Sequence, residues 1–403
     1  MVRWPDHRSR PWPPTAEYRC MRNADNDIRP FLIAVPEADL DDLRVRLARA
    51  RWTAGQLPGI GWDRGVPLTE LKELVEYWID GYDWRAHERR VNGYPQFVTQ
   101  IDGTNVHFLH VRSSEPDAFP LLLTHGWPGT FVEYLDVIDL LTDPRAHGAD
   151  AADAFHLVIP STPGFAYSGP TPEVGWTIPR IARAWIELMH RLGYERYGAA
   201  GNDGGSMTSP VIGRLDPDHV TAVHVTQVFS FPSGDSAEFE GFGEEEYRRL
   251  AFLQRFMDEH SAYNKYQSTR PETLAHALAD SPVGQLAWIL DLLRGFGDHT
   301  PEENEMLNAD FALTLASTYW LTNTAGSSAE QYYENAHMPD EPQERGTIPT
   351  GVAVFADDFP SIRQLAERDH NIVHWSEFDR GGHFSGTDAP DLLAADLRAF
   401  YSK

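Results

Sequence analysis

From Ile28 onward the apolar residues follow two alternating rhythms. Between Pro36 and Trp52, Leu40, Leu43, Leu47 and Ala50 recur at helical spacing behind acidic residues that suit a helix N-terminus. A second amphipathic helix places Leu68, Leu71, Leu74, Val75 and Trp78 on one face, with Gly81 near its end. "FVTQIDGTNVHFLHV" alternates about Asp102-Gly103 and predicts a hairpin. Buried strands ("FPLLLT", "FHLVIP", "RYGAAG", "VTAVHVTQV") then alternate with helices. "FVEYLDVIDLL" is expected to be one of these helices. "TIPRIARAWIELMHRLGY" is another, with Ile178, Ile181, Trp185, Leu188 and Met189 turned inward. The same grammar resumes in "GTIPTGVAVFADD", "NIVHWSEFDRGGHF" and a terminal helix, "PDLLAADLRAFY". Strand–helix alternation predicts an α/β fold with a mainly parallel sheet covered on both faces.

The stretch from Phe229 to Asp340 breaks this grammar, being helical and aromatic without a buried strand. A helical insertion between two parts of one sheet predicts a lid over the carboxyl ends of the strands, where such sheets bind ligands. The expected organisation is therefore a disordered extension over 1–27, a lead segment over 28–115 and core over 116–228. A lid over 229–340 and the rest of the core over 341–403 complete it.

Composition narrows the class. Hydrophobic residues make up 41% of the 403 residues, enough for a sizeable core. Lys+Arg 34 against Asp+Glu 60 gives a formal net charge of −26, which disfavours nucleic acid and anionic membrane surfaces as partners. The single cysteine, Cys20, excludes an intrachain disulfide. The first stretch is polar and Pro/Arg-rich with no apolar signal core, and Met21 is a candidate translation start. No apolar run of ~18 residues occurs, so the expectation is a soluble cytoplasmic protein.

"GAAGNDGGS" has the form of a nucleophile elbow: a strand, small residues around a central side chain, then a helix. Its central residue is Asp203, which suggests a carboxylate attacking sp³ carbon to form an alkyl ester. The plainer reading is a Gly-rich turn whose Asp caps the next helix. "RGGHF" sets His383 after the last strand, where a base would stand, and Asp357 or Asp358 ends the preceding strand. The chain order of nucleophile, acid and base lifts all three above ordinary surface residues. "THGWPGT" would aim the Trp127 N–H at an oxyanion, with the Gly204 N–H as second donor, and a cis bond before Pro128 would fit. His107 and His110 lack zinc-motif spacing, and no dinucleotide fingerprint occurs. The aromatic residues Phe165, Tyr167, Phe252, Phe256 and Trp288 are candidate pocket walls for a bulky apolar substrate.

Together "HGWPGTFVEY", "PSTPGFAYSG", "GNDGGS", "DSPVGQLAWI", "YWLTNTAGSSAEQYYEN", "IPTGVAVFADD" and "RGGHF" resemble the α/β-hydrolase epoxide hydrolases. The branch is the microsomal type, with an N-terminal lead segment, and the match runs from about Ile28 to the C-terminus. The resemblance implies Asp203 as nucleophile, His383 as general base and Asp358 as orienting acid, with Asp357 the fallback. It also implies two ring-opening tyrosines, Tyr263 and Tyr332, with Tyr266 and Tyr333 as neighbours in play. An epoxide would become a vicinal diol without metal or organic cofactor, and a homodimer is a family-level expectation. Two departures stand out. Gly204 occupies the place where relatives usually carry Trp, which opens the pocket floor and counts against a halide-binding dehalogenase. The polar N-terminal stretch is also expected to carry none of the membrane anchor of mammalian relatives. Bacterial relatives serve in detoxification or natural-product biosynthesis, and the open floor leans towards biosynthesis. The competing reading is a non-catalytic binding protein of the same fold.

Overall fold

The computed structural model describes residues 27–55, 57, 59–293, 308–339 and 344–402. The expected extension, with Cys20 and Met21, lies outside these residues apart from Asp27. One nine-stranded sheet runs through the molecule. Its strands are β1 (Arg29–Phe31), β2 (Gln96–Ile101), β3 (Thr104–Val111), β4 (Phe119–Thr124), β5 (Phe155–Pro160), β6 (Tyr197–Gly201), β7 (Val220–Val225), β8 (Pro349–Val354) and β9 (Asn371–Glu377). Their order is β1-β2-β3-β5-β4-β6-β7-β8-β9. The pairs from β5 through β9 are parallel and those from β1 to β5 antiparallel, so the sheet is mainly parallel, as its buried apolar strands require.

Alternation along the central strands divides the core between two faces. In β4, Leu121 and Leu123 join one apolar cluster and Leu122 the other; in β6, Ala200 and Ala199 split the same way. The helix Ile178–Arg191 covers the second face with Ile178, Ile181, Trp185, Leu188 and Met189, the five residues its periodicity predicts. The hairpin turn falls on Asp102 and Gly103, both at positive φ (50° and 78°), where Gly costs nothing and Asp little.

Four departures are local. "FVEYLDVIDLL" is no single helix: it forms a 3₁₀ turn, Phe131–Tyr134, and a short helix, Ile138–Thr142. All four residues of the turn are buried, so no solvent face exists to reward a regular amphipathic helix. Thr130 caps it by accepting the Val132 N–H, and the Tyr134 hydroxyl is tied to the Thr124 carbonyl at 2.9 Å. Strand β1 is too short to show a rhythm, and the helix Trp84–Val91 hides in a charged stretch that buries only Trp84, Glu88 and Val91. The first helix stops at Ala48, which leaves Ala50 beyond its end.

Between β7 and β8 the described residues hold helices and no strand, the longest being Glu244–Arg255, Pro282–Leu293, Ala309–Thr322 and Ala325–Ala336. The lead segment braces this layer from outside. Trp78 Nε1 donates to Ser317 Oγ at 3.0 Å, and Tyr77 Oη donates to Asp310 Oδ1 at 2.7 Å. The chain leaves β4 for β5 on one side and β6 on the other, which makes the carboxyl ends of β4 and β6 the switch point where such sheets open a crevice.

Candidate active site

Asp203 occupies that switch point between β6 and the helix Gly204–Leu215, with φ 50° and ψ −115°. A non-glycine residue there carries strain of about 1–3 kcal/mol, which the surrounding packing must hold. The packing is close enough to do so. A Cβ on Gly205 would lie 1.8 Å from the Thr124 carbonyl oxygen, and one on Gly201 would lie 2.3 Å from the Gly205 carbonyl carbon. Only hydrogen fits at either position, so the turn projects Asp203 alone.

The loop after β4 comes in from the other side. Its Gly126 has no room for a side chain, since a Cβ would lie 2.1 Å from Asp203 Oδ1. This lets the Trp127 N–H reach Asp203 Oδ1 at 2.9 Å, and the Gly204 N–H also bonds the carboxylate. The Trp127–Pro128 peptide is cis. His125 is buried and ties the loop down: Nδ1 meets the Gly126 carbonyl at 2.9 Å and Nε2 accepts the Thr162 N–H at 3.1 Å. Burial lowers its pKa to about 4, so it stays neutral.

His383 lies opposite, with Nε2 3.9 Å from Asp203 Oδ2 and Nδ1 2.8 Å from Asp358 Oδ1. Asp358 also accepts the Phe359 N–H at 2.7 Å, which fixes it at the end of β8. Asp357 instead joins the Gly381–Gly382 backbone, where its N–H donates to the Gly381 carbonyl at 3.0 Å. Burial alone would lower the His383 imidazole; Asp358, then Asp203 and Glu133, outweigh it and raise its pKa to about 9. Burial raises the Asp203 pKa, opposed by His383 and the two amides.

The lid supplies two phenols. Tyr263 stacks on Trp127 with centroids 5.7 Å apart, and Tyr332 meets the same indole edge-on at 5.8 Å. Their own rings are 6.0 Å apart and nearly perpendicular. Burial and the Asp203 charge push both hydroxyls above the ordinary phenol range, so they remain proton donors. Tyr266 and Tyr333 are exposed and turn elsewhere, Tyr266 towards Trp288 and Tyr333 onto His337. A carboxylate, an imidazole–carboxylate pair, two amide donors and two phenols thus converge beneath the lid.

Known proteins share this architecture over most of the chain. Residues 28–134 match the family described as "Epoxide hydrolase N terminus". A Stigmatella aurantiaca protein provisionally named an epoxide hydrolase is 43% identical over 92% of this chain and 84% of its own. Epoxide hydrolase 1 of Sus scrofa is 33% identical over 93% of this chain and 89% of its own. The chain belongs to the epoxide hydrolase family. Among solved structures, the Aspergillus niger epoxide hydrolase superposes with a TM-score of 0.82 at 31% identity, covering 94% of this chain and 96% of that one. The silkworm juvenile hormone epoxide hydrolase gives 0.84 at 26% identity, covering 93% of each chain.

Other residues of this epoxide hydrolase fall into different surroundings. Phe165 is fully buried between His125 and Tyr319, at 5.3 and 6.3 Å, directly behind the loop after β4. Tyr167 packs with Phe31, His107 and Phe131, which places it under the lead segment. Trp288 bonds Gln267 Oε1 at 3.0 Å and lines a groove of about 1150 Å³ between the lead segment and the lid. Phe252 and Phe256 are buried lid residues 6.5 Å apart, with Phe256 against Phe359.

Three buried polar residues at the site were given no role by the sequence motifs, although Asn202 and Glu133 stand within them. Gln227 and Asn202 bond one another, and Asn202 Nδ2 donates to Glu133 Oε1 at 3.2 Å. Burial raises the Glu133 pKa to about 8. For Asn202 and Gln227 the available signal is positional, since each lies within two residues of the carboxyl end of a central strand; Glu133 lies in the buried turn Phe131–Tyr134. Among the described residues, one group has metal-ligand spacing: His190, Asp216 and His219. The Asp216 oxygens there are already engaged by His219 Nδ1 at 2.5 Å and the Tyr197 hydroxyl at 2.8 Å. No helix among the described residues is long and apolar enough to cross a membrane.

Proposed function

We propose that this epoxide hydrolase works through a covalent ester on Asp203. Tyr263 and Tyr332 donate hydrogen bonds to the epoxide oxygen while Asp203 Oδ2 attacks a ring carbon. The C–O bond breaks, the alkoxide takes a phenolic proton, and a hydroxyalkyl ester forms. His383 Nε2 then removes a proton from water, and the hydroxide adds to the ester carbonyl. Negative charge collects on Oδ1, which the Trp127 amide already holds, with the Gly204 amide also bonded to the carboxylate. Collapse releases a vicinal diol, whose oxygen takes its proton from His383; the water's second proton leaves the Asp203 acid and restores the phenol, so both the carboxylate and the tyrosine return to their starting states.

The arrangement of Asp203 carries this reading: Oδ1 is bound by the Trp127 amide, the Gly204 amide also bonds the carboxylate, and Oδ2 faces His383 across 3.9 Å. Single turnover in ¹⁸O water is expected to place label in the Asp203 carboxylate, and Asp203→Asn to abolish diol formation. Label appearing first in the diol would show direct attack by water and overturn the ester.

The substrate is proposed to be a bulky, apolar epoxide. A Cβ on Gly204 would meet only the Gly126 Cα at 3.4 Å and the His125 carbonyl oxygen at 3.7 Å, ordinary contacts. The glycine therefore leaves space that the backbone does not demand, and that space supports a large substrate and a biosynthetic role.

A further inference from the structure

Gln227, two residues beyond β7, is fully buried and central to the polar network. Its Oε1 accepts the Asp203 N–H at 2.8 Å. Its Nε2 donates to Asp358 Oδ2 and, at 2.9 Å, to Asn202 Oδ1. One carboxamide thus supports both the strained backbone of the elbow and the acid behind His383. The chemistry asks for an amide, with an acceptor facing an N–H and a donor facing two oxygens. An ionised Glu would lack the donor, Met would lack both groups, and Asn would be a methylene short.

We propose that Gln227 is a positioning residue for the ester-hydrolysing half of the reaction, holding the Asp203 backbone with its oxygen and, with its nitrogen, the carboxylate that orients His383. The inference rests on the Asp203 ester. Ring opening uses Asp203 Oδ2 and the two phenols, none of which touches Asp358. Ester hydrolysis depends on His383 Nε2 facing a water, and Asp358 sets that direction. Loss of the carboxamide should therefore slow the second step more than the first.

Rapid-quench and mass-spectrometric measurements on Gln227→Met separate the two steps. Ester hydrolysis is expected to fall by about 10-fold, a fraction of the ~10²–10⁴-fold contribution of a general base, and alkylated enzyme to accumulate. Ring opening should change less than about 3-fold. A purely structural role would lower the melting temperature and slow both steps in parallel, which would overturn the proposal. Gln227→Glu provides a second test if the Met variant does not fold. Asp358, His383 and Asp203 face the introduced carboxyl, with Glu133 behind Asn202. Protonated, it donates to Asp358 as the amide does; ionised, it repels Asp358. Ester hydrolysis should then be slowed relative to the wild-type enzyme near about pH 9 and little changed relative to it near about pH 6. A wild-type pH profile in this variant would overturn the assignment. Absence of any ester in the wild-type enzyme would instead refute the Asp203 mechanism itself.

Discussion

Tyr263 and Tyr332 share Trp127 as a platform, so neither ring can move without disturbing the loop whose amide holds Asp203 Oδ1. Replacing either by Phe keeps that packing and removes one proton donor. Each variant is expected to slow ester formation by roughly 10²-fold in a burst experiment, with ester hydrolysis little changed. The imidazole gives a second expectation. In the resting enzyme His383 holds its proton up to about pH 9, partly because Asp203 is charged. In the proposed mechanism esterification would remove that charge, so the imidazole pKa would fall as the ester forms. Single-turnover hydrolysis should therefore rise with pH to a midpoint clearly below 9, followed by stopped flow across a pH series. A midpoint at or above 9 would show that the covalent step does not activate the base.

At the scale of elements, the far side of the sheet is held by a buried carboxylate. Asp396, on the helix Pro390–Tyr401, accepts from His224 of β7 at 2.7 Å, and from His374 and Ser376 of β9 at 2.8 and 2.5 Å. Burial would raise its pKa, but His224, Ser376 and His374 overcome this and hold it well below the usual range. A depressed carboxylate pKa contributes stability above the unfolded value of ~3.9 that is lost as pH falls below it. Asp396→Ala should lower unfolding stability by about 3 kcal/mol at neutral pH, with the deficit shrinking below about pH 4. Denaturant titrations from acid to neutral pH measure this. His224 is far in the chain from the other three residues, and no rhythm of apolar residues announces the group. "FVEYLDVIDLL" misleads for the related reason that its apolar residues are buried on all sides, so pattern alone cannot distinguish a helix from a pinned turn.

For the whole molecule, the lead segment acts as a brace on the lid. Trp78 is buried against the helix Ala309–Thr322 and donates to Ser317, and Tyr319 of that helix reaches the Gly129 carbonyl at 2.9 Å. Truncating Trp78 to Ala should destabilise the protein by about 3–5 kcal/mol, read as a lowered denaturation midpoint. The buried strands, the helix Ile178–Arg191 and the elbow were legible in the sequence because each is written in adjacent residues whose spacing equals a backbone period. The pairing of His383 with Asp358 instead of Asp357 was not, nor was the approach of Tyr263 and Tyr332 to one indole. Successive residues at a strand end point in different directions, and which of them meets a distant side chain depends on how β8, the lid and the Gly381–Gly382 loop close on one another. Gln227, Asn202 and Glu133 belong wholly to the tertiary structure, because a polar side chain gains meaning only when folding strips its water and leaves specific partners in place.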